Sequence, residues 1–138
     1  MIIFKLTKQL PLVDLLALYN SVGWTNYTQE ATQLQLALEQ SLTVISAWQN
    51  HQLIGLIRAV GDGISILYIQ DLLVHPAYQR QGIGRNLMDA LLAQFPRVRQ
   101  KVLWTEEAPD IRTFYEQIGF SSCDQGELVA FYFEKSDC

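Results

Sequence analysis

A chain of 138 residues with 49% hydrophobic and 17% charged content has the size of one domain and can bury a core of its own. Its net charge of −4 argues against general affinity for nucleic acid or an anionic membrane, since both require a cationic surface. No run approaches the roughly 18 consecutive apolar residues of a membrane span, and the opening MIIFKLTKQL lacks the charged region and cleavage site of a signal peptide. A single cytoplasmic domain over residues 1–138 is expected. Cys123 and Cys138 have neither CxxC nor Cys/His spacing, so neither a disulfide framework nor a metal site is expected.

In chain order, Ile2 to Leu6 alternates weakly and reads as a first strand. Pro11 then precedes Leu12, Leu15, Leu16 and Tyr19 at helical spacing, with proline near the first turn. The segment SVGWTNYT, Ser21 to Thr28, interrupts with Gly and Asn, and a second helical pattern runs through Leu34, Leu36 and Leu38. Leu42 to Trp48 and Leu53 to Val60 are β-branched runs joined by the polar QNHQ, which predicts an antiparallel hairpin. After a GDG turn, Ile64 to Val74 is a long, mostly apolar strand suited to the middle of a sheet, ended by His75-Pro76.

From Gly82 the period changes, and Ile83, Leu87, Met88, Leu91, Leu92 and Phe95 recur at helical intervals until Pro96. Lys101 to Thr105 reads as a short strand parallel to the long one, because a helix separates the two. Pro109 opens a helix through Ile118, Gly119 ends it, and Glu127 to Glu134 (ELVAFYFE) reads as a closing strand. The last strand could pair with a second copy of the chain, so a homodimer is an expectation.

The segment QRQGIGR, Gln79 to Arg85, sits between the long strand and the apolar helix. A helix N-terminus carries unpaired N–H groups and partial positive charge, and glycines let an anion approach the backbone, so this turn suits a phosphate. It lacks the GK[ST] of a P-loop and the GxGxxG of a dinucleotide fold.

Gln79-Arg80-Gln81-Gly82-Ile83-Gly84, preceded by LLVHP, resembles the Q/R-x-x-G-x-G/A segment of the GNAT acetyltransferases. Phe114 to Phe120 (FYEQIGF) resembles that family's second signature, FYxxxGF, in the right order downstream. The resemblance covers essentially the whole chain. It implies the α/β GNAT fold, a mixed central sheet of six to seven strands flanked by about four helices. The VGWTNYT segment is similar to a small branch containing bacterial members and the plastid serotonin N-acetyltransferases.

The implied function is transfer of an acetyl group from acetyl-CoA to a primary amine, by direct attack and without metal. A small-molecule acceptor is favoured over a protein lysine. The resemblance implies that backbone from Gln79 through Arg80, Gln81, Gly82 and Ile83 to Gly84 holds the pyrophosphate, with Arg80 and Arg85 as charge partners. It also implies that Leu72, Leu73 and Val74 form an edge at which pantetheine pairs like an added strand, a backbone N–H near Val74 facing the thioester oxygen. Many family members carry Asn a few residues before the tyrosine of the second signature; here Ala108 is nearest that place, with Glu107 as an alternative hydrogen-bonding group.

Tyr115 matches the motif position of the general acid, and a phenol with a reference pKa of about 10 stays protonated at neutral pH. Asp71 is the lone acid of the long apolar strand, so it needs partners or a function: it either accepts the amine's proton or is satisfied by Arg80, Tyr78 or backbone amides. Trp24 and Tyr27 either line the acceptor pocket or cap the core between the first helices, and Tyr78 is a further acceptor-side candidate. His75 has the titration range of a base but stands before a proline at a strand end, where a solvent-facing side chain is the ordinary outcome. A non-catalytic acyl-CoA sensor is the alternative reading, and a purely structural partner protein a third.

Overall fold

The computed structural model describes residues 1–134. It divides into two compact units, Met1–Trp104 and a second that begins at Thr105. The first contains one five-stranded sheet in the order β1(Ile3–Leu6), β2(Thr43–Gln49), β3(Gln52–Gly61), β4(Ile66–Val74), β5(Gln100–Val102). Successive pairs from β1 to β4 are antiparallel, and β5 runs parallel to β4.

Three helices lie between β1 and β2: α1(Leu12–Ser21), α2(Thr25–Thr28) and α3(Ala31–Glu39). Pro11 precedes α1 with φ −59°, a value proline's ring supplies and the entry to a helix accepts. The Gly/Asn interruption after α1 contains the one-turn α2, so the described residues have five helices rather than about four. Between β4 and β5 runs α4(Ile83–Gln94).

Helices cover both faces of the sheet. Leu15, Leu18 and Tyr19 of α1 and Leu34 and Leu38 of α3 cluster with Val44, Trp48, Leu56 and Leu73. Gly55, next to Leu56 on β3 and so turned to the opposite face, lies beneath α4. A Cβ there would stand 3.2 Å from Ile83 Cγ2 and 3.2 Å from Leu87 Cδ1, so glycine is what lets α4 close onto β3.

The β2–β3 turn is made by Asn50 and His51, both with positive φ (51° and 65°), the pattern of a two-residue hairpin whose twist matches its strands. The long strand begins at Ile66 rather than Ile64, because the Asp62 carboxylate accepts the N–H groups of Ile64, Ser65 and Ile66 and holds them in the turn. Opposite Arg58 and Ala59, β4 presents Asp71 and Ile69, so Gln70 is an extra residue in a β-bulge.

In the second unit, α5(Pro109–Ile118) has the expected bounds, and Gly119 ends it at φ 119°. Residues 127–134 form no strand, so the expected six to seven strands become five among the described residues. A run of β-branched and aromatic residues favours an extended chain, but composition alone does not make a strand, which is defined by its backbone pairing.

Candidate functional site

The bulge re-aims the middle of β4, and three separate features are built on or beside that strand. One is an open edge. Pairing with β5 covers only Ile66 to Tyr68, leaving Ile69 to Val74 without a strand partner on that side among the described residues. His75 donates its N–H to Ile54 O at 2.8 Å, toward β3. By the two-residue period, the N–H groups of Leu72 and Val74 therefore face away from β3, onto the open edge. The Val74 carbonyl on that edge accepts from Gln79 Nε2 at 3.0 Å.

The second feature is the loop that follows. His75 Nδ1 accepts the Ala77 N–H at 3.1 Å and starts a single 3-10 turn over Pro76–Tyr78. His75 is thus a cap, its Nδ1 committed to the Ala77 N–H. Tyr78 stacks edge-on against His75 and donates to Gln52 Oε1 at 3.3 Å, so it is not gathered with Asp71.

Arg80 (φ 65°) and Gly82 (φ 83°) are both left-handed, which turns the chain sharply into α4. A Cβ on Gly82 would meet no protein atom within 4 Å, so the space beside its backbone is open. No side chain caps α4, and the first bond from its interior is Asn86 N–H to Gly82 O at 2.9 Å. The N–H groups of Ile83, Gly84 and Arg85 thus precede any intrahelical partner. Arg85 pairs with Asp89 at 3.1 Å, an exposed pair worth little and easily exchanged for another anion.

The third feature is buried and polar. Asp71 is 2% and Arg58 5% exposed, and they face each other across β3 and β4 with Arg58 Nε 2.8 Å from Asp71 Oδ2. Tyr19 donates to the same oxygen at 2.9 Å, and Tyr27 donates to Oδ1 at 2.8 Å. Arg58 also reaches Ser41 Oγ and the Tyr27 hydroxyl, each at 3.4 Å. The partners expected of a structural Asp71, Arg80 and Tyr78, are not the ones found. Arg58 and Tyr19 were not singled out from sequence; the available signal was one cation inside an apolar strand opposite one acid in the next.

Burial, and then the Asp71 charge, push the Tyr19 phenol well above its ordinary pKa, and the same causes in the same order raise Tyr27. Burial alone would weaken the charge on Arg58, but the adjacent Asp71 carboxylate more than offsets it. Both tyrosines therefore stay phenols through neutral pH. The folded form of Tyr19 keeps its proton after the unfolded form has lost it above about pH 10. Stability is hence unaffected below that value and falls as pH rises through the folded pKa. Alkaline urea titrations should show this fall, and Tyr19→Phe should flatten it.

Trp24 packs against Tyr19 (ring centroids 6.0 Å apart) and Tyr27 (6.2 Å), and both Trp24 and Tyr27 lie half-buried on the core cluster. The rings of this pair cap the core, and the Tyr27 hydroxyl belongs to the polar network.

In the second unit, Tyr115 is half-buried between Phe114 and Phe120, with ring centroids 5.0 and 5.9 Å away. Burial raises its pKa. Ala108 is the residue before α5 and caps nothing, while Glu107 Oε2 is taken by Arg112 Nε at 2.6 Å. Glu107 is thus an ion-pair partner of Arg112 on the helix that follows it.

Residues 16–130 match the family model of the acetyltransferase (GNAT) domain. The chain belongs to the GNAT acetyltransferase family. An uncharacterized ycf52-like N-acetyltransferase of Prochlorococcus marinus is 30% identical to this GNAT chain over 137 residues, covering 95% of it and 74% of the relative. A GNAT family acetyltransferase of Streptococcus pneumoniae TIGR4 superimposes with TM-score 0.88 at 39% identity, over 99% of this chain and 100% of that one. An aminoglycoside N-acetyltransferase solved in complex with CoA shares the fold, with TM-score 0.73 at 14% identity over 100% of this chain and 96% of that one. As a GNAT protein, the chain carries its glycine turn on α4 and its aromatic signature on α5. No described helix is long and apolar enough to cross a membrane, and no described cluster of His, Cys, Asp or Glu could hold a metal ion.

Proposed function

We propose that this protein transfers the acetyl group of acetyl-CoA to a primary amine of a small molecule by direct attack within a ternary complex. The observation that carries the reading is the open β4 edge followed at once by a left-handed, uncapped entry to α4. Together these offer an extended polyamide a strand edge and a pyrophosphate a set of free N–H groups.

The residues of this chain divide the work. Leu72 to Val74 pair with the pantetheine arm, and the outward N–H of Val74 polarises the thioester carbonyl. Backbone from Gln79 to Gly84 holds the pyrophosphate, with Arg80 and Arg85 nearby as cations. The amine nitrogen bonds to the carbonyl carbon as the carbon–sulfur bond breaks. Tyr115 gives its proton to the departing thiolate and regains one from solvent, which receives the proton lost by the amine. Asp71 is shut off from direct contact with an amine by its three donors, and its part is to hold the tyrosines around it.

Release of free thiol from acetyl-CoA across arylalkylamines, polyamines, amino acids and lysine peptides tests the reading. Turnover with one amine class supports it; acetyl-CoA binding with no turnover favours a sensor; no binding overturns both. Gly82→Ala supplies a check on the anion site. The left-handed φ costs the free protein about 1–2 kcal/mol. Because the new Cβ stands in the space open to the anion, acetyl-CoA affinity should fall by a further factor of about ten, near 1.4 kcal/mol. Calorimetric titration reads this directly.

A further inference from the structure

The two oxygens of Asp71 are used unequally. Oδ2 accepts from Tyr19 and from Arg58 Nε, both groups deep in the core. Oδ1 accepts from Tyr27 alone, at 2.8 Å, and Tyr27 is the half-buried member of the set. The two donors aimed at the Tyr27 oxygen are more distant, Gln70 Nε2 at 3.3 Å and Arg58 Nη2 at 3.4 Å. Gln70 is exposed and is the extra residue of the β4 bulge.

We propose that Tyr27 orients the acceptor amine, and that Asp71 and Arg58 are positioning residues that fix its hydroxyl. The inference rests on the acetyltransferase reading above. A phenol hydroxyl rotates freely and can donate or accept. With its hydrogen committed to Asp71, the Tyr27 oxygen presents lone pairs outward, where an amine N–H displaces the long contact from the exposed Gln70. The Arg58 and Asp71 charges cancel, so the site does not concentrate polycations. What it offers is one hydrogen-bond acceptor beside the rings of Trp24 and Tyr27, a match for a monoamine on an aromatic body.

The test titrates phenethylamine, and separately spermidine, into wild-type, Tyr27→Phe and Asp71→Asn protein saturated with CoA. The acetyl-CoA Kd of each protein is measured alongside. The wild type should bind phenethylamine more tightly than spermidine. Tyr27→Phe keeps the ring and should raise the phenethylamine Kd about three- to tenfold, the range of one hydrogen bond, with acetyl-CoA affinity unchanged. Asp71→Asn should raise it comparably, and the double variant should be no worse than Tyr27→Phe, since Asp71 acts through Tyr27.

An unchanged phenethylamine Kd in Tyr27→Phe, additive losses in the double variant, tighter binding of spermidine, or no amine binding by the wild type would each overturn the proposal. Tyr27→Phe carries the test even where Asp71→Asn does not fold. Failure of the wild type to bind CoA is a separate result, which overturns the acetyltransferase reading itself.

Discussion

Replacing Tyr115 with Phe should lower kcat by about 10²- to 10³-fold, within the range of a lost general acid, and leave acetyl-CoA affinity unchanged. The phenol is half-buried and burial raises its pKa, so it holds its proton across the neutral range and the variant removes only that proton donor. The ring, which packs against Phe114 and Phe120, is retained. Stopped thiol release together with calorimetry separates the outcomes: a loss confined to kcat supports the acid, whereas unaltered turnover assigns the proton elsewhere.

Asp71→Ala should destabilise the fold by about 3–5 kcal/mol, a large share of the 5–15 kcal/mol of an ordinary domain. The change strands the Arg58 guanidinium in the core and leaves the buried Tyr19 hydroxyl without its acceptor. A triple variant, Tyr19→Phe, Arg58→Met and Asp71→Leu, removes the fully buried members and leaves only the half-buried Tyr27 hydroxyl, which can turn to solvent. It should recover most of that loss, because apolar groups of similar size often replace a buried ion pair at little cost. Urea denaturation of both proteins gives the comparison. If Asp71→Ala unfolds at the wild-type midpoint, the carboxylate is not the hub of the network.

Much of this was legible in advance because the signals were local. The QNHQ turn, the apolar β4 run, the period of α4 and the Pro109…Gly119 bounds of α5 each depend on near neighbours. The glycine turn was legible for the same reason. What sequence concealed depends on register. Arg58 and Asp71 are lone charges in separate strands, and only their pairing makes them one object. Tyr19 fits an apolar helix face so well that nothing marks its hydroxyl as a donor. ELVAFYFE is an apolar run of strand composition between two glutamates, yet composition does not decide pairing, which depends on the register of distant segments.

The spacing of the network also orders its assembly. Arg58 and Asp71 are 13 residues apart and meet when adjacent strands zip, whereas Tyr27 and Tyr19 lie 44 and 52 residues from Asp71. Closing those longer loops costs more chain entropy and has to await a formed sheet. The ion pair is therefore expected to form while still wet, with the docking of the tyrosines drying it. Docking of α1 and α2 on the sheet is then expected to come late, with Trp24, packed on both tyrosine rings, as its natural fluorescent reporter.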